Sequence, residues 1–234
     1  MYAATGCTAS RQGPRTAPSP KSSPGGEVSV IPGINDPYAK PDVQEWVNRF
    51  ETESREIFAQ RFRLVEEAAV KPSMVVADVG AGTGLFTPLL SHAVGDGGIV
   101  LAVDIVPEFL DHIRARSREA GLSNIQTVLG GEDSVMLPPA SVDLVFVCDT
   151  YHHFEFPRST LQTIFSALKP GGRLVIVDFV RIPGKSREWI MGHVRAGEET
   201  VREEILLAGF VADDTDPDDS FLSENYIAAF RKPG

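Results

Sequence analysis

Ten residues do most to limit what this chain can fold into: Ala77-Asp78-Val79-Gly80-Ala81-Gly82-Thr83-Gly84-Leu85-Phe86. A β-branched run, Met74–Val79, precedes the glycines, and an apolar helical pattern, Leu85–Ala93, follows them. Strand, glycine turn and helix in that order suit a nucleotide-binding turn. The missing side chains let the chain bend sharply and let a ligand approach the backbone. The dinucleotide fingerprint is nevertheless absent. Counted from Gly80, G-x-G-x-x-G needs glycine where Leu85 stands; counted from Gly82, it needs glycine where Thr87 stands. Asp78 sits just before the turn, where a carboxylate disfavours pyrophosphate and favours an ammonium. The expected ligand is a nucleoside carrying positive charge.

The strand–helix rhythm continues downstream. Ile99–Val103 is a strand ending at Asp104, and Pro107–Ala120 is a helix stopped by Gly121. Ile125–Leu129 is the third strand. Val142–Val147 is the fourth, continuously apolar and so expected to be buried on both faces. Pro157 opens a helix that Lys169-Pro170-Gly171-Gly172 closes. Leu174–Val177 is a fifth strand. An amphipathic helix, Val194–Ala208, precedes two closing strands, Phe210–Ala212 and Tyr226–Phe230. This alternation predicts an α/β fold with a mostly parallel sheet. Upstream, apolar residues from Val43 to Ala69 recur at three- and four-residue steps and predict one helix from Asp42 to before Pro72. Residues 27–42 read as an extended segment. Residues 1–26 read as a disordered tail, because fifteen of them are Pro, Gly, Ser or Thr. The organisation expected is thus a tail (1–26), an N-terminal segment and helix that is a lid candidate (27–72), and a ligand-binding domain (73–234).

Two more signals stand at successive strand ends. Asp104 lies 20 residues past Gly84, where an acid accepts hydrogen bonds from ribose hydroxyls. Gly130-Gly131-Glu132-Asp133 follows the third strand, placed to meet an adenine edge. With Val76–Gly84, Val103-Asp104, Ser141–Phe146 and Leu168–Leu174, the chain resembles class I S-adenosylmethionine (SAM)-dependent methyltransferases over residues 43–231. The resemblance implies a Rossmann-like seven-stranded sheet with an antiparallel last strand, helices on both faces, and SAM (S-adenosyl-L-methionine) as cofactor. It implies that Asp78, Gly80, Ala81, Gly82, Thr83 and Gly84 hold the methionine portion and Asp104 the ribose. Ile105 then packs on the adenine, and Asp133 or Glu132 faces its amino group.

By the same resemblance, Cys148-Asp149-Thr150-Tyr151-His152-His153-Phe154 borders the methyl donor. Asp149 joins the expected cofactor contacts. Methyl transfer needs a positioned, deprotonated nucleophile. Imidazole is a suitable base, so His152 and His153 are the candidate catalytic residues, with Tyr151 orienting the acceptor. The segment lacks the Asn/Asp-Pro-Pro-aromatic signature of enzymes that methylate exocyclic base nitrogens. Tyr-His-His resembles small-molecule methyltransferases of quinone biosynthesis. The basic-aromatic stretch from Arg181 to Arg195 lies where such folds meet substrate, and Arg181 and His193 are the candidate acceptor contacts. The function expected is methyl transfer to a small molecule, its acceptor atom open. The alternatives are an NAD-dependent oxidoreductase, an RNA or protein methyltransferase, and a non-catalytic SAM-binding module.

Charge and composition narrow the partners. The formal charge is −10, which repels phosphate backbones and anionic lipid and argues against nucleic acid. No apolar run approaches the roughly 20 residues of a membrane span. Asp213–Asp219 matches a calcium loop only at its start and reads as solvated, so no metal site is assigned. SAM is an intracellular metabolite, which makes the cytoplasm the default compartment. Ala4-Thr5-Gly6-Cys7 resembles the end of a bacterial lipoprotein signal, so export or lipid anchoring through Cys7 is the alternative if the native start lies upstream. Nothing in the sequence bears on oligomeric state.

Overall fold

The computed structural model describes residues 21–52, 55–215 and 217–234. Its strands are β1 (Val75–Val79), β2 (Ile99–Asp104), β3 (Ile125–Leu129), β4 (Val142–Cys148), β5 (Leu168–Phe179), β6 (Val211–Ala212) and β7 (Asn225–Arg231). They form one sheet in the order β3-β2-β1-β4-β5-β7-β6. Strands β1 to β5 run parallel, and β7 is antiparallel to both β5 and β6. The Rossmann-like, mostly parallel sheet with a reversed last strand is therefore as expected. The chain moves outward from β1 to β3, then returns to β4 beside β1. Ligand crevices open at such a switch point, at the carboxyl ends of the strands.

Both sheet faces are covered, which explains the unbroken apolar run of β4. Val145 and Val147 join Leu161 and Ile164 of helix α6 (Pro157–Ala167) and Ile205 of α8 (Glu198–Leu207) in one core. Leu144 and Phe146 point the other way. They join Leu64 of α3 (Arg61–Glu67) and Leu90 of α4 (Thr87–Val94) in a second core. Helix α5 (Pro107–Glu119) lies against β2 and β3. Among the described residues, no helix is long and apolar enough to cross a membrane.

Four elements differ from expectation, one being β5, which starts at Leu168 and takes in Lys169–Gly172 rather than beginning at Leu174. The single helix before Pro72 is three: α1 (Val43–Phe50), α2 (Glu56–Ala59) and α3. The break falls where polar side chains serve distant partners. Glu51 accepts from the Thr83 hydroxyl at 3.0 Å and pairs with Arg116. Arg55 pairs with Asp149, and Glu56 accepts the backbone N–H groups of Ser223, Glu224 and Asn225. The expected helix from Val194 starts only at Glu198, because Glu188–His193 forms its own short helix, α7. Residues 21–26, expected within a disordered tail, carry a turn and a bridge between Ser22 and Val28. Glu27 fixes them by accepting the N–H groups of Arg158 and Ser159 in the first turn of α6, where a helix favours negative charge. Residues 1–20, including Cys7, lie outside the described residues.

Phe146 is wholly buried at the centre of β4, 5.0 Å from the Phe86 ring. Phe146→Ala is expected to cost about 3–5 kcal/mol in urea unfolding. A loss under about 1 kcal/mol would contradict the packing described.

Candidate active site

The glycine turn folds back on β2. The N–H groups of Gly80 and Ala81 donate to the Val103 carbonyl at 2.8 and 3.1 Å. Gly80 has φ +71°, and a Cβ there would stand 2.1 Å from Cγ2 of Thr150. No other residue fits between β1 and the segment after β4. Asp78 is buried beneath the turn and accepts from the Thr87 hydroxyl at 2.6 Å. Asp104 ends β2. One of its oxygens accepts from the Gly82 N–H at 2.7 Å, the other from the Val106 N–H at 2.9 Å. Among the described residues neither acid has an ion-pair partner. Burial pushes Asp78 up to about 7, against the Thr87 hydrogen bond and with help from the Asp104 charge. Burial also pushes Asp104 up to about 6, although backbone N–H groups oppose it.

A third acid, Asp149, follows β4 with φ +47°, its side chain 8% exposed. It accepts from Asn225 at 2.7 Å and pairs with Arg55; burial still holds it at about 6. Next comes a short turn, Tyr151–His153. Asp178, near the end of β5, accepts the His152 backbone N–H at 3.0 Å and lies 2.7 Å from Nδ1 of the same residue. Burial opposes a charge on His152, and the Asp178 carboxylate more than offsets it, so the imidazole lies above its ordinary value. His153 has no such partner; burial, then the neighbouring His152 and His193, push it down to about 2. Burial and His152 also lower His193, which comes from α7.

These groups face one cavity of about 770 Å³. Of the residues singled out from sequence, it is lined by Asp78, Gly80, Ala81, Gly82, Thr83, Asp104, Ile105, Glu132, Asp149, His152, His153 and His193. Four do not line it. The backbone of Gly84 packs against Ile113, and Asp133 stands beside the lining residue Glu132 without lining the cavity itself. Tyr151 is fully buried and donates to Glu204 of α8 at 2.7 Å; burial and that carboxylate raise its phenol. Arg181 donates to the Met191 carbonyl. The orienting role for Tyr151 and the acceptor contact for Arg181 therefore find no place at this cavity. Tyr38, Trp46 and Phe50 form an aromatic wall on one side, and Phe179 and Trp189 line it on another. The segment before α1 is tied to the site. Glu155, 1% exposed, accepts from the Ser29 hydroxyl and the Gly33 N–H, and Asn35 donates to the His153 carbonyl.

Comparison with known proteins bears on this geometry. Residues 77–176 match the family model described as "Methyltransferase domain". A ubiquinone/menaquinone biosynthesis C-methyltransferase of Shewanella frigidimarina is 31% identical over 116 residues, 49% of this chain and 46% of that protein. The chain thus matches under half the length of these curated relatives. A crystal structure of a SAM-dependent methyltransferase from Aquifex aeolicus superposes with a TM-score of 0.69 at 25% identity, covering 82% of this chain and 99% of the other. The [4+2]-cyclase SpnF shares the fold at 17% identity and a TM-score of 0.62, over 73% of this chain and 78% of its own.

Residues 77–176 are thus similar to a methyltransferase domain, carried on a fold shared with a SAM-dependent methyltransferase. The cofactor that this similarity implies is S-adenosylmethionine. The matched stretch of the methyltransferase domain holds Asp78, the glycine turn, Asp104, Glu132 and the segment from Asp149 to His153. Arg55, Asp178, His193 and the aromatic wall lie outside it. Sequence reading missed Arg55, Asn225 and the Asp178–His152 pair. Asp178 had a visible signal, an acid at a strand end; Arg55 and Asn225 had none, because only tertiary folding brings them to Asp149.

The raised acids contribute a pH dependence to the stability of the ligand-free protein. Between about pH 4 and about 7 the folded state holds protons on Asp78 that the unfolded chain has released. Stability therefore falls as pH rises through that window. In calorimetric melts, Asp78→Asn is expected to reduce the loss of Tm between pH 5 and 8. An identical loss in the variant would contradict the assignment.

Proposed function

We propose that this chain transfers the methyl group of SAM to a small-molecule acceptor. The observation that carries the reading is the pair Asp78 and Asp104, buried at adjacent strand ends under a glycine turn and, among the described residues, without an ion-pair partner. Buried carboxyl groups of this kind stay ionised at neutral pH only beside a group that repays their desolvation. A cofactor with an ammonium, a sulfonium and ribose hydroxyls supplies that group. In this reading Asp78 and the Gly80–Thr83 backbone hold the methionine end, Asp104 the ribose, Ile105 the adenine face and Glu132 its amino edge. Asp149 lies beside the donor sulfur.

The acceptor then occupies the aromatic and histidine half of the cavity. A lone pair of the acceptor forms the new bond to the methyl carbon as the carbon–sulfur bond breaks. Sulfur leaves as a neutral thioether, and the acceptor gives up a proton. The Nδ1–H of His152 donates to Asp178, so its Nε2 carries a free lone pair and is the proton acceptor. Asp178 acts as a positioning residue that fixes the tautomer. Three features support a small acceptor: the cavity volume, within the roughly 300–1,000 Å³ of small-molecule sites, the aromatic walls, and the similarity to quinone-biosynthesis C-methyltransferases. The tethered segment from Ser29 to Tyr38 serves as the lid. Because a [4+2]-cyclase shares the fold, transfer of labelled methyl decides the reaction.

Asp104→Ala is expected to weaken SAM binding at least tenfold by calorimetry while far-UV circular dichroism stays native; unchanged affinity would refute the cradle. With an acceptor found by labelled-methyl screening, His152→Ala is expected to lower kcat about 100-fold. SAM affinity should stay within about threefold. Full turnover in that variant would remove His152 as the base.

A further inference from the structure

Three imidazoles meet at the acceptor end of the cavity. The ring centroids of His152, His153 and His193 are 4.3, 5.2 and 5.1 Å apart, and one ring nitrogen from each lies within 4.8 Å of the others. They come from two elements far apart in sequence, the turn after β4 and helix α7. We propose that His152, His153 and His193 form a binding site for one divalent transition-metal ion.

Four observations carry the assignment. First, the donor set is right: three imidazoles suit zinc, cobalt, nickel or iron rather than magnesium or calcium. Second, His152 already has an outer partner. Its Nδ1 is 2.7 Å from the buried Asp178 carboxylate, which leaves Nε2 as donor, the arrangement that orients metal-bound histidines. Third, Nδ1 of His153 is buried with no hydrogen-bond partner among the described residues. A buried polar atom left unpaired is costly, and coordination would satisfy it. Fourth, the charge balance leaves room. Asp78, Asp104 and Asp178 are buried, the Asp149 side chain is 8% exposed, and among the described residues Arg55 is the only lysine or arginine paired with any of them. SAM brings a net charge of one and Arg49, which also lines the cavity, another, so negative charge is still left for an ion to offset.

The trio needs little movement. Metal–nitrogen bonds of about 2.0–2.1 Å in tetrahedral geometry put the nitrogens about 3.3 Å apart. The rings therefore close in by at most about 1.5 Å. Trp189, stacked on His193 at 4.8 Å, holds the third ligand toward the site. Three protein ligands leave a coordination position for the acceptor. A hydroxyl bound there would have a lowered pKa and lose its proton to solvent, so that Nε2 of His152, then a ligand, is not needed as the base.

The test uses the full chain, stripped with chelator, dialysed and titrated with Co²⁺ while visible absorption is followed. Zn²⁺ competition and the same titration of His153→Ala, His193→Ala and Asp178→Asn complete it. One ion per chain is expected, with the intense visible bands of low-coordinate cobalt. Affinity should fall at least tenfold in each histidine variant and about 10–100-fold in Asp178→Asn. A spectrum that stays that of aqueous cobalt, or binding equal in wild type and both histidine variants, would overturn the proposal. SAM calorimetry on the same samples reports folding and separates the two readings. SAM binding without cobalt binding removes the ion alone, and cobalt binding without SAM binding removes the cofactor cradle alone.

Discussion

Burying carboxylates at the ends of parallel strands, without protein cations to meet them, is the constraint on which the rest of this structure depends. Asp78 and Asp104 end adjacent strands and stay beneath the glycine turn. The turn can cover them because Gly80 takes a conformation, and a closeness to Thr150, that a side chain would forbid. Nearby cations are engaged elsewhere: Arg116 by Glu51, Arg195 by Glu204, Arg55 by Asp149. The floor of the crevice thereby stays negative in a way that a cationic cofactor relieves.

The cavity has two chemically different ends. At the strand ends of β1 and β2 it is anionic and built from backbone N–H groups, hydroxyls and acids. Toward α1 and α7 it is aromatic, with imidazoles in place of acids. Glu155 joins the two by tying the N-terminal segment to the loop that carries the histidines. Under the proposed function, a charged donor and a flat, apolar acceptor would be sorted by this gradient before any residue acts on them. Polar anchoring fixes the donor, and exclusion of water at the aromatic wall strengthens the electrostatics of the site.

Most of the sheet was legible because β-strand patterns are local. The fourth strand could be read as doubly buried from its unbroken run, and the acids at strand ends fall where the turns put them. What escaped depends on distant partners. The helix before Pro72 is broken because Glu51, Arg55 and Glu56 each serve a group far away in sequence, and apolar periodicity carries no trace of that. Tyr151 read as a site residue because it precedes two histidines; alternate side chains of a tight turn face different ways, and Glu204 claims its hydroxyl. His193, by contrast, reads from sequence as an acceptor contact and does line the cavity, because α7 packs on Phe179 of β5.

The central claim is that binding replaces protons on buried acids with the positive charge of the cofactor. Its most direct test is SAM calorimetry near pH 6.5 in buffers of different ionisation enthalpy, with S-adenosylhomocysteine, which lacks the sulfonium charge, in parallel. At that pH Asp78 still holds most of its proton and Asp104 part of one. The account predicts net proton release on SAM binding, larger than with S-adenosylhomocysteine and reduced in Asp78→Asn. Binding with no proton release, or with proton uptake, would contradict it.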